Sequence, residues 1–579
     1  MTEARRRGPI TVAALALLAL HGALAWLLRP AALRTANDDA VYLLLGRALR
    51  QLSYRDLFLV GTPVQAQYPP FYPALLAALG APAGEHLDLF LLANVLCSVL
   101  ALGALFRVAL GRSDVVALLF LLLAATNSRL IAMAGNLRSE PMFMVLLALA
   151  LVVLARPDPS RRSLVVAGGA AIAAALTRSI GVTLVAALIA AWLLERRWRP
   201  AGALALAAAL TVGPWLVWTV VAPGQMPGRS YVADLTFEAP VAQVDVGRPA
   251  GEPALESTRS PSRTDEAPPE QIQSPPPPAE TPPSLPATFA RRIAGNLVEY
   301  GGRVLPAALE LPGGSRTRVD NLLWLAVVLV LGGIGLLALG RWWRVAALAL
   351  ACYGALLVVW PYPIGRFLVP VTPLILLTLL LGAAELGRRL SVRAPRWGLE
   401  ALCPALLAGA VMAGSLPATA RLIGRQAACD RAAPLTSAGC ADQHERSFFE
   451  ATRWIASNTP ETERFLTTKE GTFYYYTGRQ TILVAPLVAQ PQVDLRRYLE
   501  DHGARQVLLS HLKYDETWLV DRLVPLCGDF EVVHTWAPGT LLLRIGPASA
   551  DRRTACEALE AYRRLPWGER APPAPATVR

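Results

Sequence analysis

The chain has 579 residues, 54% of them hydrophobic and only 17% charged. Ordinary soluble domains carry about 25% charge, so a mean hydropathy of +0.39 excludes a string of such domains. The net charge of +12 does not point to nucleic acid: among 55 basic residues only Lys469 and Lys513 are lysines, and no basic stripe with interleaved aromatics occurs.

The arginines cluster beside apolar runs instead. The clusters are Arg5-Arg6-Arg7, Arg107 with Arg112, Arg156 with Arg161-Arg162, Arg196-Arg197 with Arg199, Arg341 with Arg344, and Arg388-Arg389 with Arg393 and Arg396. Arginines in such places anchor the cytoplasmic ends of membrane spans.

From the N-terminus, an apolar run from Ile10 to Leu28 is too long for a signal peptide and has no convincing cleavage site, so it reads as a retained first span. Further spans fall near Leu87–Phe106, Val115–Thr126, Pro141–Leu154, Leu164–Leu176, Gly181–Leu194, Ala201–Val221, Asn321–Leu339, Val345–Trp360, Phe367–Leu386 and Leu399–Leu416. The expectation is a polytopic α-helical membrane protein of about eleven transmembrane helices. A cytoplasmic N-terminus then puts every arginine cluster inside and the C-terminus outside.

Two regions are not apolar. Residues 241–286 contain Ser274-Pro275-Pro276-Pro277-Pro278 and many acids, and read as a disordered, Pro-rich outer insert in a transmembrane domain spanning 1–418. Over 419–579, helix and strand patterns alternate, as in a small extracytoplasmic α/β domain. Helices are expected at Glu445–Asn458, Val493–His502 and Thr517–Leu523. Strands are expected at Phe465–Thr468, Thr481–Val484, Val507–Ser510, Phe530–Thr535 and Leu541–Ile545.

Cys97, Cys352 and Cys403 lie in spans and read as small buried apolar residues. Cys429, Cys440, Cys527 and Cys556 all lie in the exported domain and fit disulfides. Three pairings are possible, and chain proximity favours Cys429–Cys440 with Cys527–Cys556. A zinc site is the alternative, without a C-x-x-C spacing to support it.

The candidate chemistry lies in the outer loops. The first, 37–73, opens Asn37-Asp38-Asp39-Ala40-Val41-Tyr42, with Arg47 further along the same short helix. Adjacent carboxylates serve as a base or bind a divalent metal; a plain acidic helix cap is the alternative. The loop continues through Tyr68, Pro69 and Pro70, a rigid aromatic segment that makes one wall of a cleft. Glu140 opens a later span, where a carboxylate should face a cavity or a partner. Arg178 and Arg366 stand at outer helix junctions, where snorkelling competes with a binding role. Arginine forks suit phosphate, and carboxylates suit deprotonation of a hydroxyl acceptor.

The order Asp-Asp-x-x-Tyr, Tyr-Pro-Pro-x-x-Pro, Ser-Glu-Pro, Leu-Thr-Arg, Pro214-Trp215 and Arg-Phe-Leu-x-Pro-x-x-Pro (Arg366 to Pro373) resembles the GT-C glycosyltransferases that use polyprenyl-phosphate sugars. These are relatives of protein O-mannosyltransferases and lipid A aminoarabinose transferases, glycosyltransferase family 39-like. The likeness covers roughly residues 10–418. Trp454-Ile455-Ala456-Ser457-Asn458-Thr459-Pro460 and Tyr476-Thr477-Gly478-Arg479 are similar to stretches of the outer domains that trail many bacterial members.

The resemblance implies an integral enzyme of the inner (plasma) membrane acting in cell-envelope synthesis. It implies a polyprenyl-phosphate sugar donor, a surrounding of membrane lipid, and a glycan, lipid or protein acceptor, without a nucleic-acid partner. Asp38 becomes the acceptor-activating carboxylate, Glu140 the second acidic position, and Arg178 and Arg366 the residues near the lipid phosphate. Asp39 stands where such enzymes often have Glu or another small polar residue. No cofactor is certain, although Asp38 and Asp39 can hold a divalent metal. The rival readings are a transporter or flippase of lipid-linked saccharides, and a non-catalytic envelope scaffold.

Overall fold

A computed structural model of the chain describes residues 3–83, 86–154, 159–222, 235, 285–312, 318–340, 343–392, 398–489, 492–512, 516–546 and 552–565. All of the Pro-rich insert, 241–286, lies outside the described residues except Leu285 and Pro286, which open a helix.

Each of the apolar stretches expected to span coincides with a helix. Polar residues set several starts: Ser113 accepts from the Val116 amide, Asn127 from Leu130 and Ser160 from Ser163. Six of the described helices are long and apolar enough to cross a membrane. They become seven if Asp114–Thr126 and Ser128–Ala134, bent by 65° at Asn127, form one broken span.

The larger expected number is therefore not established by length. Glu140–Val153, Val182–Leu194 and Trp343–Val359 have 14, 13 and 17 residues. At 1.5 Å per residue they reach only ~20–25 Å, short of a ~30 Å hydrocarbon core. Periodicity and hydropathy mark such helices as apolar but do not measure whether they cross.

The helix Thr372–Ser391 is buried on nearly every side and forms the centre of the bundle. The helix Arg318–Ala338 lies against it and turns Leu322, Leu323, Leu329 and Val330 outward, as a lipid-facing surface does. Their backbones touch through reciprocal glycines. A Cβ on Gly335 would run into the Thr378 carbonyl, and one on Gly382 into the Leu331 carbonyl. Small residues allow this close approach between membrane helices.

The helix Leu399–Ala427 runs past residue 418 and carries the chain into the C-terminal domain. That domain holds a five-stranded sheet: β1 (Phe465–Leu466), β2 (Thr481–Ile482), β3 (Gln506–Leu509), β4 (Phe530–Trp536) and β5 (Thr540–Ile545). The strand order is β2-β1-β3-β5-β4, with β1 parallel to both neighbours and β5 antiparallel to β3 and β4. The helix Gln443–Asn458 starts with a capping box between Asp442 and Glu445. Cys429 is bonded to Cys440 and Cys527 to Cys556, with Cα separations of 4.5 and 4.9 Å. The helices Glu470–Thr477, Ala485–Ala489 and Arg552–Arg564 were not expected from the sequence.

The segment that follows the helix Asp38–Arg50 is stitched onto this domain. The Thr481 amide donates to Phe58 O at 2.8 Å, and the Val60 amide donates to Thr481 O at 2.9 Å. The loop thereby covers the β2 edge, which would otherwise leave backbone groups unpaired. Arg34 pairs with Glu445, Thr35 Oγ1 donates to Glu445 Oε1 at 2.8 Å, and Tyr476 OH donates to Leu33 O at 2.7 Å.

Candidate active site

The helix Asp38–Arg50 carries its acids in the first turn and Arg47 and Arg50 in the last, complementing the helix dipole. Every residue from Asp39 to Gly46 is buried, as is Ala48, so the helix is enclosed on nearly all sides. Asn37 precedes it at φ 69°, and its side chain makes no capping hydrogen bond to this helix. The Tyr42 ring meets Tyr68 and Tyr72 edge-on, with centroids 5.1 and 4.9 Å away. Tyr68 is held from behind by Tyr54, whose OH donates to its carbonyl at 2.6 Å. Pro69, buried, and Pro70 then lead into the helix Phe71–Ala83.

Four distant segments meet at these carboxylates. Arg366 Nη1 donates to Asp38 Oδ2 at 2.5 Å, and Tyr68 OH donates to Asp38 Oδ1 at 2.8 Å. Arg178 Nη1 lies 2.7 Å from Glu140 Oε1 and donates to Ser139 Oγ at 3.0 Å. Tyr42 OH and Ser139 Oγ share a hydrogen bond of 2.8 Å. Arg138 Nε stands 3.7 Å from Asp39 Oδ1. The guanidiniums of Arg178 and Arg366 both face the Phe367 ring, at 5.9 and 5.5 Å.

Two guanidinium positions remain unused. Arg178 Nε and Arg366 Nε are buried and, among the described residues, have no hydrogen-bond acceptor. A buried donor left unmatched costs about 1–3 kcal/mol.

The adjacent aspartates are driven apart in proton affinity. Burial pushes the Asp38 carboxyl up, but Arg366, Arg138 and the hydrogen bonds from Tyr68 and Arg366 outweigh it and bring it down to about 2. Burial raises Asp39 to about 6, with Asp38 and Glu140 adding to the rise and Arg138 and Arg366 opposing it. One member of the pair is thus held ionised, while the other titrates close to neutral pH.

Asp38, Asp39, Glu140, Arg178, Arg366, Tyr42 and Tyr68 all lie in this one cluster. Sequence reasoning missed Arg138 and Ser139 as site residues, although both directly precede Glu140. It also missed Asn94, whose Nδ2 donates to the carbonyls of Asn136 (2.6 Å) and Arg138 (2.9 Å) and shapes that loop. A buried Asn in an apolar span was the available signal.

The donor set around the aspartates fits a divalent cation poorly. Both carboxylates face guanidiniums, and among the described residues no group of three His, Cys, Asp or Glu side chains could hold a metal ion.

No family model matches the chain, and no curated protein matches it in sequence. Solved structures do match in fold. ArnT from Cupriavidus metallidurans bound to undecaprenyl phosphate superposes with a TM-score of 0.51 at 14% identity, over 94% of this chain and 99% of that one. Its apo state gives 0.50 at 13% identity, over 94% and 100%. The archaeal oligosaccharyltransferase AglB from Archaeoglobus fulgidus gives 0.49 at 13% identity, over 93% and 75%. The chain therefore shares the fold of the ArnT structures, over both its helical part and its C-terminal domain.

Proposed function

We propose that this protein is an inverting membrane glycosyltransferase that moves a sugar from a polyprenyl-phosphate donor to a hydroxyl-bearing acceptor. The observation that carries the reading is Arg366, which holds Asp38 through Nη1 and keeps a buried Nε–H without an acceptor. Base and phosphate anchor are thereby neighbours on one ion pair.

In the resting arrangement Asp38 is a weak base, because Arg366 and Tyr68 stabilise its charge. A donor phosphate that engages Arg366 shares that guanidinium and weakens its hold on Asp38. The Asp38 carboxylate then accepts the proton of the acceptor hydroxyl. The acceptor oxygen bonds to the anomeric carbon as the bond from that carbon to the phosphate oxygen breaks. Polyprenyl phosphate leaves with its new negative charge against Arg366, with Arg178 behind it. Glu140 holds Arg178 in place, and Arg138 stands beside Asp39.

The reading also takes the arginine clusters as the cytoplasmic side. It places the site and the domain after residue 419 outside the inner (plasma) membrane, with the shorter apolar helices completing about eleven crossings. The ArnT likeness supports the reading through the fold, and the ArnT structure containing undecaprenyl phosphate suggests the donor's lipid.

The test is incubation of the purified protein with a panel of polyprenyl-phosphate sugars, following release of the lipid phosphate. At least one donor should be consumed in an Asp38-dependent manner. Release from none of them, or equal release by Asp38→Asn, would sink the proposal.

A further inference from the structure

The segment that covers the β2 edge also delivers a buried glutamine to the carboxylate site. Arg55 and Val64 face one another as in an antiparallel ladder, and the Asp56 amide donates to Pro63 O at 2.9 Å. The Gln65 amide donates to Tyr54 O at 3.0 Å and closes this hairpin. Gln65 is 4% exposed, where glutamine is ordinarily a surface residue.

Every polar group of Gln65 is engaged. Its Nε2 donates to Asp56 Oδ1 at 2.6 Å, and its Oε1 accepts from the amides of Gln67 at 2.5 Å and Tyr68 at 3.2 Å. Its carbonyl accepts from Trp218 Nε1 at 2.9 Å. An amide turned the other way would set N–H against N–H and oxygen against carboxylate, so only one orientation satisfies the set.

The consequence lies three residues on. The Tyr68 backbone is pinned at its amide by Gln65 and at its carbonyl by the Tyr54 hydroxyl, and the Pro69 ring stiffens the chain that follows. From that fixed backbone the phenol reaches Asp38 Oδ1 at 2.8 Å, edge-on to the Tyr42 ring. Tyr68 therefore holds one oxygen of Asp38 while Arg366 holds the other.

We propose that Gln65 is a positioning residue for the transfer reaction: it fixes Tyr68, whose hydroxyl keeps the Asp38 carboxylate from rotating once Arg366 turns to the donor phosphate. The inference rests on the transferase reading and deepens it. Gln65 itself touches neither substrate nor the reacting atoms.

The test is a double-mutant cycle on the full chain, read by release of polyprenyl phosphate, together with fluorine NMR of protein carrying 3-fluorotyrosine in place of Tyr68. Gln65→Ala should lower kcat about tenfold and leave the donor KM unchanged, because Arg366 and Arg178 stay in place. In a Tyr68→Phe background the same substitution should cost less than about twofold, since the hydroxyl it positions is already gone. Gln65→Asn, which keeps the amide but draws it back by one methylene, should act in the same direction and serves if the alanine variant does not fold. Full multiplication of the two losses would reduce Gln65 to support of the fold and overturn the proposal.

The NMR arm needs no turnover. The fluorotyrosine resonance should shift on Asp38→Asn, and that response should vanish with Gln65→Ala. Gln480→Ala loosens the same hairpin at the carbonyls of Leu57 and Leu59 without touching Tyr68, and should keep the response. A response that survives Gln65→Ala, is lost equally with Gln480→Ala, or is absent throughout would overturn the proposal. Release from no donor would sink the transferase reading, while the resonance would still decide whether Gln65 sets Tyr68 on Asp38.

Discussion

Asn37 Oδ1 accepts hydrogen bonds from the backbone amides of Gly471 at 2.9 Å and Thr472 at 3.2 Å. The residue before the aspartate pair thus caps the helix Glu470–Thr477 of the C-terminal domain rather than its own. Its left-handed backbone, φ 69°, is the strained conformation that this bond holds in place. A Cβ on Gly471 would stand 2.7 Å from Val41 Cγ2, so glycine permits the approach. The C-terminal domain therefore fixes where Asp38 and Asp39 enter the site.

Asn37→Ala should destabilise the protein by about 1 kcal/mol, the scale of a lost cap. It should lower kcat several-fold more than it raises the donor KM, because Asp38 loses its positioning while Arg366 is untouched. Thermal unfolding and donor-titration kinetics measure the two effects. A drop in Tm with unchanged kcat would reduce Asn37 to a purely structural role.

Arg366→Ala should raise the donor KM at least tenfold, since the phosphate loses its anchor. Lys at this position should restore part of the loss, keeping the charge but not the fork. Equal donor dependence in wild type and both variants would return Arg366 to snorkelling.

Asp39 makes a claim about pH. Its folded carboxyl titrates at about 6, against about 3.9 in an unfolded chain. The folded state therefore prefers the neutral acid: the contribution to stability is full below about pH 4 and lost as pH rises through about 6. Asp39→Asn should stabilise the protein by about 1–3 kcal/mol at pH 8 and by nothing measurable at pH 4. Thermal melts at both pH values test it. Equal shifts at the two would show that burial of the Asp39 charge is not the cause.

Orientation is open to labelling. Ser457 is exposed on the C-terminal domain, and Arg162 is exposed at the opposite side of the helical body. A cysteine at 457 should react with an impermeant reagent on intact cells, and one at 162 only after permeabilisation. The reverse pattern would invert the topology and place the site in the cytoplasm.

The helices were legible because long apolar runs bounded by Ser, Asn and arginine leave few alternatives. The site was legible as a set of polar residues at the ends of apolar stretches, but not as pairs. Nothing local joins Asp38 to Arg366 or Arg178 to Glu140; the bundle's packing does so. Asn37 was readable only as part of an acidic cap, because its partner Gly471 lies in another domain. The helix Glu470–Thr477 escaped notice since Phe473, Tyr474, Tyr475 and Tyr476 are consecutive and show no helical period. Crossing number stayed beyond reach for a different reason: helices near 14 residues satisfy the composition of a span but not its length.

Asp38 is bound by Arg366 and Tyr68 and is 19% exposed at its side chain, against 4% for Asp39. That difference makes Asp38 the carboxylate an acceptor can reach. Asp38→Asn keeps the shape and an oxygen for the Tyr68 hydroxyl, and removes the base. Activity should fall roughly 10²–10⁴-fold, the usual contribution of a general base. Donor binding should be kept or improved, because Arg366 is released from its carboxylate and free to grip the phosphate. Glu140→Gln should instead weaken donor binding, since it loosens Arg178. Turnover numbers and donor affinities of the two variants separate these roles. Near-full turnover by Asp38→Asn, with loss in Asp39→Asn, would move the base by one residue. Full activity in all three variants would show that the reaction does not use these carboxylates.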